Sequence, residues 1–118
     1  MDDTICASCG RAFSWRKKWT RQWDAVRFCS TGCRTNRPGP LDRRLEGAIL
    51  HLRDRSTGTI YPSEAARFVR PDAWRPLMER TRRAARRLAA GGQVAIFQGG
   101  RPVDSASVRG PIRIGGVS

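Results

Sequence analysis

Hydrophobic residues recur at helical spacing in three segments of the second half of the chain. The first stripe predicts a helix over residues 41–55. A second helix is expected to begin at Tyr61-Pro62-Ser63-Glu64, because proline is tolerated in the first turn of a helix. It should stop near Arg70-Pro71, and a third helix is predicted from about Asp72 to Gly91-Gly92. The predicted apolar face of the third helix comprises Trp74, Leu77, Met78, Thr81, Ala85 and Leu88.

Two short apolar segments follow the third helix and favour strands. They cover Val94–Phe97 and Ile112–Ile114, and the polar stretch from Gly99 to Pro111 is predicted to be the loop between them. Three helices followed by a hairpin are typical of a winged helix-turn-helix. In that fold the third helix enters the DNA major groove and the hairpin loop contacts the flanking backbone.

Two residues of the first helix lie off its apolar stripe. Leu50 is on the opposite side, where it has no obvious core to join, so it is expected to pack on the N-terminal part or on a partner. His51, the only histidine, has no second ligand at a suitable spacing and is expected to be a solvated helix residue.

The four cysteines form two pairs near the start of the chain. Cys6 and Cys9 are followed, after nineteen residues, by Cys29 and Cys33. A two-residue gap lets two thiolates of one turn bind one tetrahedral zinc ion, and in a reducing cytoplasm such pairs indicate zinc rather than disulfides. A knuckle, a hairpin and a helix from Ser30 would form a treble clef. Four sulfurs fill the coordination shell, so one structural zinc ion is predicted.

Three tryptophans lie between the cysteine pairs. Trp15, Trp19 and Trp23 recur every four residues and therefore share a face in a helix or a strand. One interpretation is that they form the hydrophobic core of this small module. The other is that one ring stays exposed among basic residues and stacks on nucleic-acid bases. Periodicity does not choose between the two.

The net charge of +13, from 23 basic and ten acidic residues, favours a polyanionic partner. Nucleic acid is the expected one, with duplex DNA favoured and RNA possible. Six arginines are predicted on the open face of the third helix, although a solvated face without function would show the same pattern. The candidate nucleic-acid-binding residues are Arg16, Lys17, Lys18, Arg75, Arg82, Arg83, Arg86, Arg87, Arg101 and Arg109.

The chain divides at Arg37-Pro38-Gly39-Pro40, because Pro-Gly-Pro continues neither a helix nor a central strand. The predicted organisation is a four-cysteine zinc module over residues 1–36, a linker over 37–40 and a winged-helix domain over 41–118. The fold class is therefore α+β, with a treble-clef-like module followed by a winged helix-turn-helix.

Several function classes are not expected. No segment approaches the roughly 20 apolar residues of a membrane helix, and the acidic start resembles no secretory signal, so a cytoplasmic protein is expected. No nucleophile has a base at recognisable spacing, which argues against an enzyme. The alternative to nucleic-acid binding is a protein-interaction adaptor, with the partner on an exposed tryptophan or on Leu50.

Both halves resemble bacterial families of unknown function. The pattern from Cys6-x-x-Cys9-Gly10-Arg11 to Cys29-Ser30-x-x-Cys33-Arg34, including Trp15, Trp19 and Trp23, resembles domain-of-unknown-function family 2256 over residues 4–35. The motifs Pro62-Ser63-Glu64 and Pro71-Asp72-x-Trp74-Arg75, with Arg109-Gly110-Pro111, resemble family 3253 over residues 42–114. The second resemblance implies a winged-helix fold, and neither implies an activity.

Overall fold

The computed structural model describes residues 3–14 and 38–116 of the chain. Within these ranges the secondary structure comprises three α-helices, one 3₁₀ turn and five short strands. In chain order they are β1 (Asp3–Ile5), β2 (Ala12–Ser14), α1 (Pro40–Arg55), α2 (Pro62–Val69), the 3₁₀ turn (Arg75–Leu77), α3 (Met78–Ala90), β3 (Ala95–Gln98), β4 (Arg101–Val103) and β5 (Arg113–Gly115).

Helix α1 confirms the first predicted helix and starts inside the predicted linker. Pro40 is its first residue, and the Asp42 carboxylate accepts a hydrogen bond from the Gly39 amide at 2.9 Å. This bond satisfies one of the backbone N–H groups that every helix start leaves without a helical partner. Leu50 was expected to lack a core to join, and this was wrong, because it is partly buried against the hydrophobic core.

Helix α2 begins at Pro62 as predicted, whereas α3 begins at Met78 and not near Asp72. Pro76 lies in the 3₁₀ turn, and the α-helix starts only at Met78. Proline lacks the N–H that a continuous α-helix uses, so it is tolerated only in this opening turn. The buried Thr81 hydroxyl donates to the Leu77 carbonyl at 2.7 Å, which allows a polar residue on the apolar face.

A three-stranded antiparallel sheet has the order β4-β3-β5. Ile96 lies opposite Val103 on one side and Ile114 on the other. Ile60, between α1 and α2, forms an isolated β-bridge to Ile114. The Ile60 amide donates to the Ile114 carbonyl at 2.7 Å, and the Ile114 amide donates to the Ile60 carbonyl at 2.8 Å.

Strand β4 corrects the prediction that residues 99–111 are a single loop. Gly99 and Gly100 have φ values of +58° and +79°, and two such residues suit a tight hairpin turn between β3 and β4. A three-residue strand with Pro102 at its centre carries almost no sequence signal, since proline donates no ladder hydrogen bond.

The helices and the sheet enclose one hydrophobic core. Its buried side chains come from all three helices and from β3 and β5, with Leu45, Ile49, Ile96 and Ile114 among the largest. The described residues therefore form an α+β structure of three helices and a small antiparallel sheet. None of the helices in residues 38–116 is long and apolar enough to cross a membrane.

Candidate metal turn and basic surface

The first cysteine pair lies in a tight turn between β1 and β2, here called the cysteine turn (Cys6–Gly10). Cys6 and Cys9 are both buried, and the Cys9 amide lies 3.5 Å from the Cys6 sulfur, to which it donates. The Gly10 amide donates to the Cys6 carbonyl at 3.0 Å, and Gly10 has a φ of +75°. A backbone N–H directed at the sulfur would offset part of the charge of a metal-bound thiolate.

The cysteine turn packs directly on the C-terminal half of α3. A Cβ atom placed on Gly10 would lie 2.6 Å from the Cβ of Arg86 and 2.7 Å from the backbone nitrogen of Arg87. Real Cβ atoms do not approach backbone atoms so closely, so glycine is required on steric grounds as well as for its positive φ. The two segments are therefore in backbone-to-backbone contact.

Three arginines of α3 bind this turn. The Arg86 Nε donates to the Cys9 carbonyl at 2.8 Å, and the Arg87 Nη1 donates to the Ser8 carbonyl at 2.6 Å. The Arg83 guanidinium donates to the Ser8 hydroxyl. Charged donors form stronger hydrogen bonds than neutral ones, so these contacts hold the turn firmly.

Strands β1 and β2 pair antiparallel and form an N-terminal hairpin, which also contacts the loop between β4 and β5. The Arg11 Nη1 donates to the Val108 carbonyl at 2.6 Å, and the Ala12 amide donates to the Ala106 carbonyl at 3.1 Å. Residues 3–14 thus bridge α3 and this loop.

Arg86 does not belong to an open face. It is 4% exposed, and its guanidinium lies 3.5 Å from Glu79. Burial and then the neighbouring Arg11 lower the pKa of the Arg86 guanidinium, while Glu79 and Cys9 oppose this shift. The six arginines expected on the open face of the predicted third helix were Arg75, Arg80, Arg82, Arg83, Arg86 and Arg87. That expectation is wrong for Arg86, because the cysteine turn covers it.

Arg87 is also directed inward, since its side chain is only 10% exposed and its Nε donates to Glu46 of α1 at 2.8 Å. The arginines nearer the start of α3 are more open. The Arg80 side chain is 52% exposed and lies 3.4 Å from Asp42, and the Arg82 side chain is 36% exposed and lies 3.5 Å from Glu79. The six arginines thus divide along the helix into an open and a covered group.

Arg75 is exposed before α3, where it stacks on an aromatic ring. Its guanidinium carbon lies 4.8 Å from the ring centre of Trp74, and that of Arg67 lies 4.4 Å from the same ring. Such cation–π pairs hold the guanidinium planes in place while their N–H groups remain able to bind a partner. Arg67 was not among the predicted site residues, because it lies seven positions before Trp74 in the sequence and meets that ring only in the folded chain.

A second arginine–aromatic pair lies beside a shallow cleft near the start of α2. The Arg113 guanidinium carbon is 4.5 Å from the ring centre of Tyr61, which is 52% exposed. Both Tyr61 and Arg82 line the cleft. Its lining residues are Tyr61, Pro62, Ser63, Met78, Arg82, Pro111 and Ile112. Arg113 lies in the predicted strand Ile112–Ile114, and Tyr61 was expected only as the start of a helix, because the two residues become neighbours only in the folded chain.

The other predicted site residues divide into two groups. Arg101 and Arg109 are exposed, on β4 and in the β4–β5 loop. Cys29, Cys33, Arg16, Lys17 and Lys18 lie outside the described residues, as do Trp15, Trp19 and Trp23 and the predicted helix from Ser30. Among residues 3–14 and 38–116 no three metal-binding side chains come together. His51 is exposed as expected, with its ring centre 5.2 Å from that of Phe68.

Comparison with protein families gives two matches that together span nearly the whole chain. Residues 42–117 match the model described as "Protein of unknown function (DUF3253)". The chain belongs to this family. Residues 1–36 match the model described as "Uncharacterized protein conserved in bacteria (DUF2256)". Both resemblances drawn from the sequence motifs are confirmed, in the predicted order. No curated protein matches the chain.

Proposed function

We propose that this protein binds nucleic acid without catalysing a reaction, and that one structural zinc ion on Cys6, Cys9, Cys29 and Cys33 holds its N-terminal module. The observation that carries the first part is the open arginine surface around Tyr61 and the start of α3. Duplex DNA is the favoured ligand and RNA the second.

Element order supports a winged-helix assignment for residues 41–118. A winged helix has a short strand between its first two helices, and the Ile60 bridge to β5 lies at that point. Helix α3 takes the place of the groove-reading helix, and β3, β4 and β5 take the place of the wing.

The proposed binding surface is the open side of this arrangement. It includes Arg82, Arg113 and Tyr61 at the cleft, and the exposed Arg75, Arg101 and Arg109. Within the described ranges no acidic side chain forms an ion pair with Arg75, Arg101, Arg109 or Arg113. Cations without an acidic partner in the described residues are available to phosphate oxygens, and contacts to phosphates supply much of the affinity in nucleic-acid binding.

The proposal differs from the sequence-based one in its use of α3. Arg83, Arg86 and Arg87 contact the cysteine turn, and Arg87 also contacts Glu46. Breaking these bonds to engage phosphates would cost free energy, since a buried group that loses its partner is strongly penalised. The N-terminal half of α3 and the hairpin are therefore the proposed contact region.

The donor set fits zinc. Cys6 and Cys9 are buried, lie in one turn and receive a backbone N–H on the Cys6 sulfur. Four thiolates complete a tetrahedral structural site, so the ion would stabilise the fold and take no part in chemistry.

One observation favours the alternative function, a protein-interaction adaptor. Phe68 is 56% exposed on α2, and part of the α3 basic face is already neutralised from within the chain. An exposed aromatic side chain is a candidate anchor for a protein partner, since aromatic residues are enriched at protein interfaces.

Fluorescence anisotropy with labelled duplex DNA, single-stranded DNA and RNA tests the proposed function. Titrations between about 50 and 200 mM salt should show affinity falling steeply, with a slope of about −0.9 per neutralised phosphate on duplex DNA. Absence of binding to all three at the lower salt concentration would contradict the proposal and favour the adaptor.

A further inference from the structure

We propose that Arg86, assisted by Arg83 and Arg87, is a positioning residue for the metal: it holds the cysteine turn in the conformation that binds zinc. This inference rests on the zinc site proposed above and assigns to the covered half of α3 a role in that site.

Three arginine side chains fix the geometry of the cysteine turn. Each of the three guanidinium groups contacts Ser8 or Cys9. Ser8 lies between the two cysteines in the chain, and Cys9 is the second of them. Bonds to the Ser8 and Cys9 carbonyls fix the orientation of two successive peptide groups. Those peptide groups determine where the Cys9 side chain points relative to Cys6, so the arginines restrict the distance between the two ligands.

The charges around the cysteine turn also suit a buried zinc–thiolate centre. A zinc ion with four thiolates carries a net charge of about −2, and an ion of that charge is costly to bury. Arg86 is buried against Cys9, and Arg83 and Arg87 contact Ser8. A fourth arginine, Arg11, directly follows the turn in the chain. Positive charge at this position would offset part of the net negative charge of the zinc–thiolate centre.

Contact with the cysteine turn also explains why Arg86 is buried. The Arg86 side chain is 5% exposed, and Glu79, its acidic neighbour at 3.5 Å, is 66% exposed and largely solvated. A partner in water compensates a buried charge poorly, since solvent screens the attraction. The cysteine turn supplies the closer contact, through the Cys9 carbonyl.

The test measures zinc affinity of the full-length chain by competition with a chromophoric chelator, for the wild type, Arg86→Ala, Arg86→Lys and Arg82→Ala. Arg82 is the matched control, because it lies on the same helix and also contacts Glu79 at 3.5 Å, but it forms no hydrogen bond or ion pair with the cysteine turn in the described part of the chain. Arg86→Ala should weaken zinc binding about 10- to 100-fold, the range typical of lost partners around metal ligands. Arg82→Ala should leave the affinity unchanged, and Arg86→Lys should recover part of it by restoring the charge.

A spectroscopic readout separates positioning from general stability. Cobalt bound in place of zinc should show altered thiolate absorption bands in Arg86→Ala and wild-type bands in Arg82→Ala. Should Arg86→Ala fail to fold, Arg83→Ala serves instead, because Arg83 is only partly buried and touches the Ser8 hydroxyl. Its zinc affinity should then fall several-fold below that of Arg82→Ala.

The outcomes are distinct. Equal zinc affinities and equal cobalt spectra in the folded Arg86 and Arg82 variants would overturn the positioning role and leave the zinc site intact. A wild-type chain that takes up neither zinc nor cobalt would overturn the zinc site and the positioning role together.

Discussion

Gly10 and Arg86 are in direct backbone contact, although 76 positions separate them: a Cβ atom on Gly10 would lie 2.6 Å from the Cβ of Arg86. This contact joins the N-terminal hairpin to α3, the helix proposed to enter the groove. It makes the cysteine turn and α3 one structural unit in the described part of the chain.

Replacing Gly10 with alanine should destabilise the protein more than the same change at Gly92. Both glycines have a positive φ, of +75° and +79°, which costs a non-glycine residue about 1–2 kcal/mol. Only Gly10 lies against another backbone, since a Cβ on Gly92 has nothing within 4 Å. Overpacking should add about 1–3 kcal/mol to the loss at Gly10. Urea unfolding of the two variants measures the difference, and equal losses would contradict the close contact.

The purified protein should contain one zinc ion per chain, and Cys9→Ser should abolish its retention. Loss of the metal should release the N-terminal hairpin while the helical part stays folded, because the core of α1, α3 and β3 lies elsewhere. Hydrogen exchange at two amides outside the helices can test this. The Ala12 amide, bonded to Ala106 at 3.1 Å, should exchange faster without metal, and the Ile114 amide, bonded to Ile60 at 2.8 Å, should not.

Two results would contradict that prediction. Metal analysis without zinc, or a disulfide formed under reducing conditions, would remove the zinc site. Equal acceleration of exchange at Ala12 and Ile114 would instead mean that the metal supports the whole fold.

Arg82→Ala and Arg113→Ala should each weaken nucleic-acid binding and reduce the salt slope by about one unit, because each removes about one phosphate contact. Arg44→Ala is the control, since Arg44 is an exposed arginine on α1 away from the cleft lining. Anisotropy titrations at several salt concentrations give the slopes. A slope reduced equally by all three substitutions would indicate a diffuse charge effect instead of a defined surface.

One of Trp15, Trp19 and Trp23 is expected to contact a base, on the evidence of their shared spacing and the basic residues between them. Saturating oligonucleotide should then quench tryptophan emission. Trp74 is partly buried against the core with Arg67 and Arg75 over its ring, so a Trp74→Phe background removes a signal that should not respond. Single Trp→Phe changes separate the roles: a core ring lowers thermal stability, and a stacking ring lowers affinity alone.

If all three tryptophan variants lose stability and the emission stays constant at saturation, the rings form a core. That result would leave the Arg82 and Arg113 prediction untouched, because those residues lie in the other half of the chain.

The hydrophobic pattern determined the three helices, two of the strands and their order. Burial of a stripe at helical spacing is a local constraint, so Leu45 and Ile49 of α1, or Leu77 and Leu88 around α3, can be recognised without the rest of the fold. The motifs were equally local, and they were sufficient to identify both families. Strand β4 was not predicted, because its extended conformation depends on pairing with β3 more than on the residues of β4 itself.

Only the tertiary structure decided which arginines are accessible to a ligand. Arg82 and Arg86 are four residues apart on one helix and look alike in the sequence, yet their side chains are 36% and 5% exposed. The difference arises because a turn 77 residues earlier in the chain places the Cys9 carbonyl on Arg86. Helical periodicity specifies the direction of a side chain from its own helix, and it contains no information about which distant segment covers that direction.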